Sequence, residues 1–170
     1  MSRRSTAVLI LLFLLAMPAA GTVLVSMGLP ELVRDADEGI VHGRVLSVSS
    51  DWNESGSTIF TYAEVVVIED HAGKRRPGET MTFRVPGGRI GDKFLFVPGA
   101  PVFRTDEEVL VFASTWSDGP LMVVGYEQGL ARVHVGSSGS RELVDGSVSG
   151  MPLVSFRGAV RELLRARETP

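Results

Sequence analysis

RVPGGRIGDKFLFVPGAPVF, residues 84–103, carries Pro-Gly at Pro86/Gly87 and again at Pro98/Gly99, with the apolar run Phe94-Leu95-Phe96-Val97 between them. Two readings of this stretch lead to different folds. A Gly-rich phosphate loop lies between a buried strand and a helix, so that backbone N–H groups and the helix dipole converge on an anion. Paired turns use the same residues differently, Pro for its fixed φ and Gly for positive φ. No helical periodicity follows Gly87-Gly88 or Gly99, and Lys93 to Val97 reads as a strand between two turns. The stretch is therefore scaffolding, a lobe folded over one mouth of a β-structure, and the surface it displays is a candidate contact site.

Working outward, short runs of Val, Ile, Phe, Tyr and Thr recur between clusters of Gly, Pro, Asp and Ser, the pattern of an all-β sandwich or barrel. Gly39 to Ser49 (GIVHGRVLSVS) has apolar residues on both of its alternating sides, which predicts a central strand. A polar loop over Asp51 to Ser57 joins it to a long strand over Thr58 to Glu69, as a hairpin. After the turn His71 to Gly78 comes a strand over Glu79 to Val85. Val109 to Ala113, Leu121 to Tyr126 and Ala131 to Val135 are further strands, and Gly136 to Ser140 is a linker. Thr22 to Met27 is a possible first strand. Helices are predicted over Pro30 to Asp37, with Leu29, Leu32 and Val33 facing the core, and after a Ser155 cap. In the second helix Phe156, Val160, Leu163 and Leu164 repeat on one side, and Arg157, Arg161, Arg165 and Arg167 on the other.

The chain begins with Arg3 and Arg4, the apolar run Ala7 to Met17 and the small residues Ala19-Ala20. This is the layout of a secretory signal peptide over residues 1–20, with an uncleaved anchor as the competing reading because apolar character resumes at Val23-Leu24-Val25. A barrel domain over 21–150 and a C-terminal helix over 151–170 would follow. Export implies a periplasmic or secreted protein, with no membrane contact after cleavage. Without residues 1–20 the chain has 15 basic against 20 acidic residues, a net charge of −5. That balance argues against nucleic acid, whose phosphates are bound by clustered Lys and Arg. There are no cysteines, which excludes disulfides, thiol catalysis and thiolate zinc sites.

Catalytic constellations are sparse. His42, His71 and His134 lack ligand spacing such as HExxH, and no G-x-S-x-G elbow presents a serine. His42 and His134 read as strand histidines. Glu69-Asp70-His71 fits a hairpin tip, with a loop metal site as the alternative. Asp51 and Glu54 flank Trp52, an arrangement that would suit sugar stacking with acid/base chemistry in a small hydrolase, or simply a soluble loop. The acidic groups Asp35/Asp37/Glu38 and Asp106/Glu107/Glu108 would bind Ca²⁺ if they met in space. No cofactor or metal is predicted. The preferred function is a non-catalytic binding module for an unknown protein or glycan, docking on Trp52, Tyr62, Pro86, Gly87, Gly88, Pro98, Gly99 and Phe103. A structural role in an envelope assembly, through the arginine-bearing helix, is a further alternative.

The succession DADEGIVHGRVLSVSS, TIFTYAEVVVIED, TMTFRVPGGRIGDKFLFVPGAPVF, DEEVLVFAS and MVVGYEQGLARV resembles a widespread group of exported bacterial proteins without an assigned activity. The order of helix, strand, hairpin and EEVLVF strand is more distantly similar to the netrin-like domain of tissue inhibitors of metalloproteinases. That resemblance implies a mainly β fold, a small OB-like (netrin-like) barrel with a short N-terminal helix and a C-terminal helix, acting by binding. Those inhibitors chelate a protease zinc through an N-terminal cysteine. No cysteine exists in this chain, so the resemblance does not extend to that activity.

Overall fold

The computed structural model describes residues 25–115 and 119–168. The signal-peptide reading of residues 1–20 and the Trp116–Asp118 turn lie outside the described residues, as do residues 22–24 of the strand expected over Thr22 to Met27. Val25 to Gly28 is irregular.

The fold is mainly β, with a large antiparallel sheet and two helices. Helix α1 (Leu29–Asp35) has Pro30 in its first turn, and the Glu31 carboxylate accepts the Gly28 N–H at 3.0 Å. Strands β1 (Gly39–Trp52), β2 (Ile59–Asp70) and β3 (Thr80–Pro86) form a meander. The lobe supplies the small hairpin β4 (Gly88–Ile90) and β5 (Lys93–Leu95). Strand β6 (Glu108–Ser114) pairs β1 antiparallel, with Gly39 opposite Ala113 and Arg44 opposite Glu108. Strands β7 (Met122–Val123), β8 (Leu130–Val135) and β9 (Arg141–Val144) complete the sheet, and α2 (Leu153–Glu168) ends the described chain. The main sheet runs β3-β2-β1-β6-β8-β9, with β7 also on β6.

Strands β1 and β6 are buried on both faces, as the two-sided apolar pattern of Gly39 to Ser49 predicts. Val41 and Val45 join Val65, Phe83, Val109 and Val111 on one side of the sheet. Ile40, Leu110 and Phe112 join Leu32 and Val33 of α1 and Phe156 and Val160 of α2 on the other. Fully burying side chains of this size stabilises by about 1.5–3 kcal/mol each. Phe112 and Phe156 meet edge to face at 5.9 Å, a geometry that suits the ring quadrupoles.

The sheet is not closed. It curls until the β3 edge meets the residue before β7 in one isolated parallel bridge, Phe83 to Leu121. There Leu121 N–H donates to Thr82 O at 2.9 Å and Arg84 N–H to Leu121 O at 2.7 Å. At the other edge Leu143 N–H donates to Met151 O and Gly150 N–H to Leu143 O, so residues 148–152 cover β9. Each edge thus has backbone groups of its middle residues engaged, Thr82 and Arg84 in β3 and Leu143 in β9, which blunts strand addition there by another chain.

Several expected elements are shorter or displaced. The strand expected over Leu121 to Tyr126 stops at Val123, because Gly125 turns left-handed and starts a 3-10 turn over Tyr126–Gly129. The expected linker Gly136 to Ser140 is the turn of the β8–β9 hairpin, closed by Gly136 N–H on Ser140 O. Helix α2 begins at Leu153, which puts Ser155 inside it rather than at its cap.

The turn after β2 is organised by one carboxylate. Asp70 Oδ1 accepts the N–H groups of Ile40 and Ala72, both at 3.0 Å, and Oδ2 those of Lys74 and Arg75 at 2.7 and 2.8 Å. Asp70 therefore ties the start of β1 to the β2–β3 turn. Hydrogen bonds to a charged group contribute about 1.5–3 kcal/mol each when buried, and water replaces part of that at this half-buried position. We expect Asp70→Ala to lower the urea-unfolding free energy by about 2 kcal/mol, and Asp70→Asn to lower it less; a loss within a few tenths for Ala would refute this role.

Candidate functional site

The lobe folds over the β1–β2 end of the sheet, on a platform of two hydroxyls. Ser50 Oγ and Thr61 Oγ1 lie 3.0 Å apart; Thr61 donates to Gly87 O at 2.8 Å and Arg89 N–H to Ser50 Oγ at 3.3 Å. Gly87 and Gly88 both have positive φ. A Cβ on Gly88 would collide with the Ser50 and Thr61 hydroxyls, and one on Gly87 would come within 2.8 Å of Leu95 O. The glycines are thus where the hairpin backbone seats on β1 and β2, in agreement with the scaffolding reading of this stretch.

Between lobe and sheet lies a cleft of about 260 Å³. Its lining includes Val48, Pro86, Phe94, Phe96, Pro101 and Val102, with Ser50 and Thr61 as its only polar side chains. Phe94, Phe96 and Val102 remain 63%, 71% and 56% exposed. Lys93 Nζ lies 5.4 Å from the centre of the Trp52 ring, and the Arg89 guanidinium 5.7 Å from that of Phe94, both within cation–π range.

The expected contact residues are brought together only in part. Trp52 is half-buried beside Lys93 on the same strand end as the lobe. Pro86, Gly87 and Gly88 line the cleft, while Pro98 and Gly99 form the far turn, where Gly99 O accepts the Glu127 N–H at 2.9 Å. Tyr62 lies within β2, half-buried, between Ser49 and Arg84 on the neighbouring strands. Phe103 corrects the expectation of a surface contact: it is 5% exposed and stacks on Phe83 at 5.8 Å. Its truncation would open the core. Phe94 and Phe96, which turn chemistry alone does not single out, are the exposed aromatics of the lobe, and the KFLFV run is their signal in the sequence.

The other constellations are engaged elsewhere. Asp51 Oδ1 accepts the Trp52 N–H at 2.7 Å, and Asn53 Oδ1 accepts the N–H groups of Ser57 and Thr58. The two acidic groups sit at opposite ends of the β1–β6 pair and have separate partners: Arg75 for Glu38, Arg104 and Arg132 for Glu107, Arg141 for Glu108. No cluster of three or more metal-ligating side chains occurs among the described residues.

His71 is not at a hairpin tip but under α2, edge to face with Phe156 at 5.4 Å. Its Nδ1 lies 3.4 Å from Glu69, which also pairs with Arg157. His42 is fully buried on the helix side of β1, and its Nε2 meets Glu108 Oε1 at 2.6 Å, with Arg141 3.0 Å from the same oxygen. His134 is exposed. Burial pushes the pKa of both His42 and His71 down, against the opposing pull of Glu108 and Glu69 respectively. His42 and His71 thus lie on the α2 side of the sheet, and neither lines the cleft under the lobe.

Comparison with known proteins finds no matching family model, no matching curated protein and no matching solved structure.

Two predictions follow from this geometry. Gly88→Ala is expected to cost about 1–3 kcal/mol, the range for forced backbone strain and overpacking, read by urea unfolding; no change would mean the lobe is not seated on Ser50 and Thr61. For the histidines, a folded pKa below the ordinary 6.5 means that the unfolded chain binds more protons just below that pH. Stability should therefore fall as pH drops below about 6.5, and the combined His42→Gln and His71→Gln variant should have a flatter profile between neutral pH and the onset of carboxylate titration. A profile equally steep in that variant would show the decline to come from other groups.

Proposed function

We propose that the protein is an exported, non-catalytic binding module that docks through the lobe of residues 86–102. The observation that carries this reading is the exposure of Phe94 and Phe96 on a hairpin whose backbone is fixed by Gly87, Gly88, Ser50 and Thr61. An exposed apolar patch disfavours solubility and is retained on a protein surface where something covers it. Fixing the hairpin beforehand reduces the ordering cost of binding. The curl of the sheet to the Phe83–Leu121 bridge supports a kinship with small OB-like, netrin-like barrels, which bind ligands at their faces and mouths. The hydrolase alternative has less behind it, since the Asp51 carboxylate is turned to the Trp52 amide and His71 lies beneath Phe156.

The test uses a chain that has no cysteine of its own. Single cysteines are placed at the lobe tip, Asp92→Cys, and in the distant β2–β3 turn, Arg76→Cys, both exposed positions. A membrane-impermeant maleimide is then applied to the purified protein and to intact envelopes of the native host opened to the reagent. Position 92 should label freely when purified and be protected in envelopes, position 76 should label in both, and Phe94→Ser with Phe96→Ser should restore labelling at 92. Equal labelling of both positions in both settings would overturn the lobe as a docking surface.

A further inference from the structure

The large apolar side chains left exposed in this protein are not scattered. Nine are exposed among the described residues, and five of them, Val25, Phe94, Phe96, Val102 and Tyr126, belong to one end of the molecule. Backbone contacts join them there. Gln128 Nε2 donates to Val25 O at 3.0 Å, and its Oε1 accepts the Met27 N–H at 2.8 Å. The adjacent Glu127 N–H donates to Gly99 O in the far turn of the lobe. Tyr126 shares a small apolar recess with Pro86 and Pro101. The described chain thus starts beside the lobe, held to it through Gln128 and Glu127.

What leads up to Val25 bears on what covers this patch. No charged residue occurs from Ser5 to Pro30, while Arg3 and Arg4 precede that stretch. A bilayer span needs about 20 predominantly apolar residues, and basic residues before a span keep that end on the cytoplasmic side. A chain held in this way would have its folded part on the far side of the membrane, and the contacts of Val25 with Gln128 would put the lobe on the side facing the bilayer. The chemistry of the lobe agrees. A sugar site needs convergent hydrogen-bonding groups, but Ser50 and Thr61, the polar side chains of the cleft, are spent on each other, on Gly87 O and on the Arg89 N–H. The outward groups are Phe94 and Phe96 with the cations Arg89 and Lys93, and one acid, Asp92, at the tip. Aromatic rings with cations beside them suit the lipid headgroup region. The arginines of α2 are the other candidate for an anionic surface, but Arg157 is paired with Glu69 and that face lies at the Asp70 end of β2, away from the lobe.

Resting on the lobe as the docking surface, we infer that its partner is a phospholipid bilayer, with Phe94, Phe96 and Val102 seated in the interface of the membrane that holds the uncharged N-terminal segment. This departs from the expectation of a membrane-free chain, which depends on cleavage near residue 20. The single-cysteine forms Asp92→Cys and Arg76→Cys of the full chain, labelled with the environment-sensitive fluorophore NBD, are reconstituted into vesicles of phosphatidylethanolamine and phosphatidylglycerol. Position 92 should show a blue shift with increased emission and be quenched by spin-labelled lipid, whereas position 76 should keep the emission of a water-exposed label. Adding Phe94→Ser and Phe96→Ser should abolish the shift at 92, with circular dichroism confirming an intact fold. Water-like emission at 92 in vesicles would overturn the bilayer as partner. If position 92 nevertheless stayed protected in envelopes, the docking surface would stand and the bilayer would be replaced by another partner; loss of both signals would remove the docking surface itself.

Discussion

The pairing of β1 with β6 takes both faces of two strands out of water, and the other elements are arranged around that burial. One face is filled by β2, β3 and Phe103, the other by α1 and α2. A strand buried on both sides tolerates few polar groups, since an unpaired one costs about 1–3 kcal/mol. His42 is the one fully buried polar side chain among the described residues, and its contact with Glu108 explains the acid at the start of β6. Arg141 of β9 reaches the same carboxylate. A single polar position in β1 therefore recruits partners from two other strands and fixes how they align.

The parts of this fold legible in the sequence are those governed by side-chain alternation. Gly39 to Ser49 has apolar residues on both sides and is central; Pro30 opens α1; Phe156 and Val160 mark the buried side of α2. What residue reading misplaced is decided by tertiary contacts. β9 (RELV) buries Leu143 alone and has no pattern to announce it, so the hairpin turn before it resembles a linker. Phe103 follows a Pro-rich lobe and looks exposed, yet the chain doubles back and stacks it on Phe83. His71 follows two acids in a polar turn, and only the path of α2 places Phe156 against it. None of these long-range contacts has a local signature.

The candidate site shows the same division. The Pro-Gly turns were readable because turn chemistry is local, and Gly88 occupies a backbone conformation that other residues rarely adopt. The hydroxyl pair beneath the lobe was not, because Ser50 and Thr61 are ordinary strand residues until β1 and β2 are brought into register, Ser50 opposite Thr61. The aromatics matter for what does not surround them. A lobe seated on the sheet leaves Phe94 and Phe96 no core to enter, and that geometry separates them from the buried phenylalanines of the same chain.

The Phe83–Leu121 bridge has a bearing on how the chain acquires its shape. It joins β3 to a residue that lies beyond the lobe and β6, so it forms only after that whole segment has wrapped around the sheet. The two residues are 38 positions apart, so closing this bridge costs loop entropy that the local β1–β2–β3 meander does not. Until then the Thr82 and Arg84 backbone groups form an unpaired strand margin. Leu121 thus acts as a cap on the β3 margin: its two hydrogen bonds occupy backbone groups that a strand of another chain would otherwise pair with.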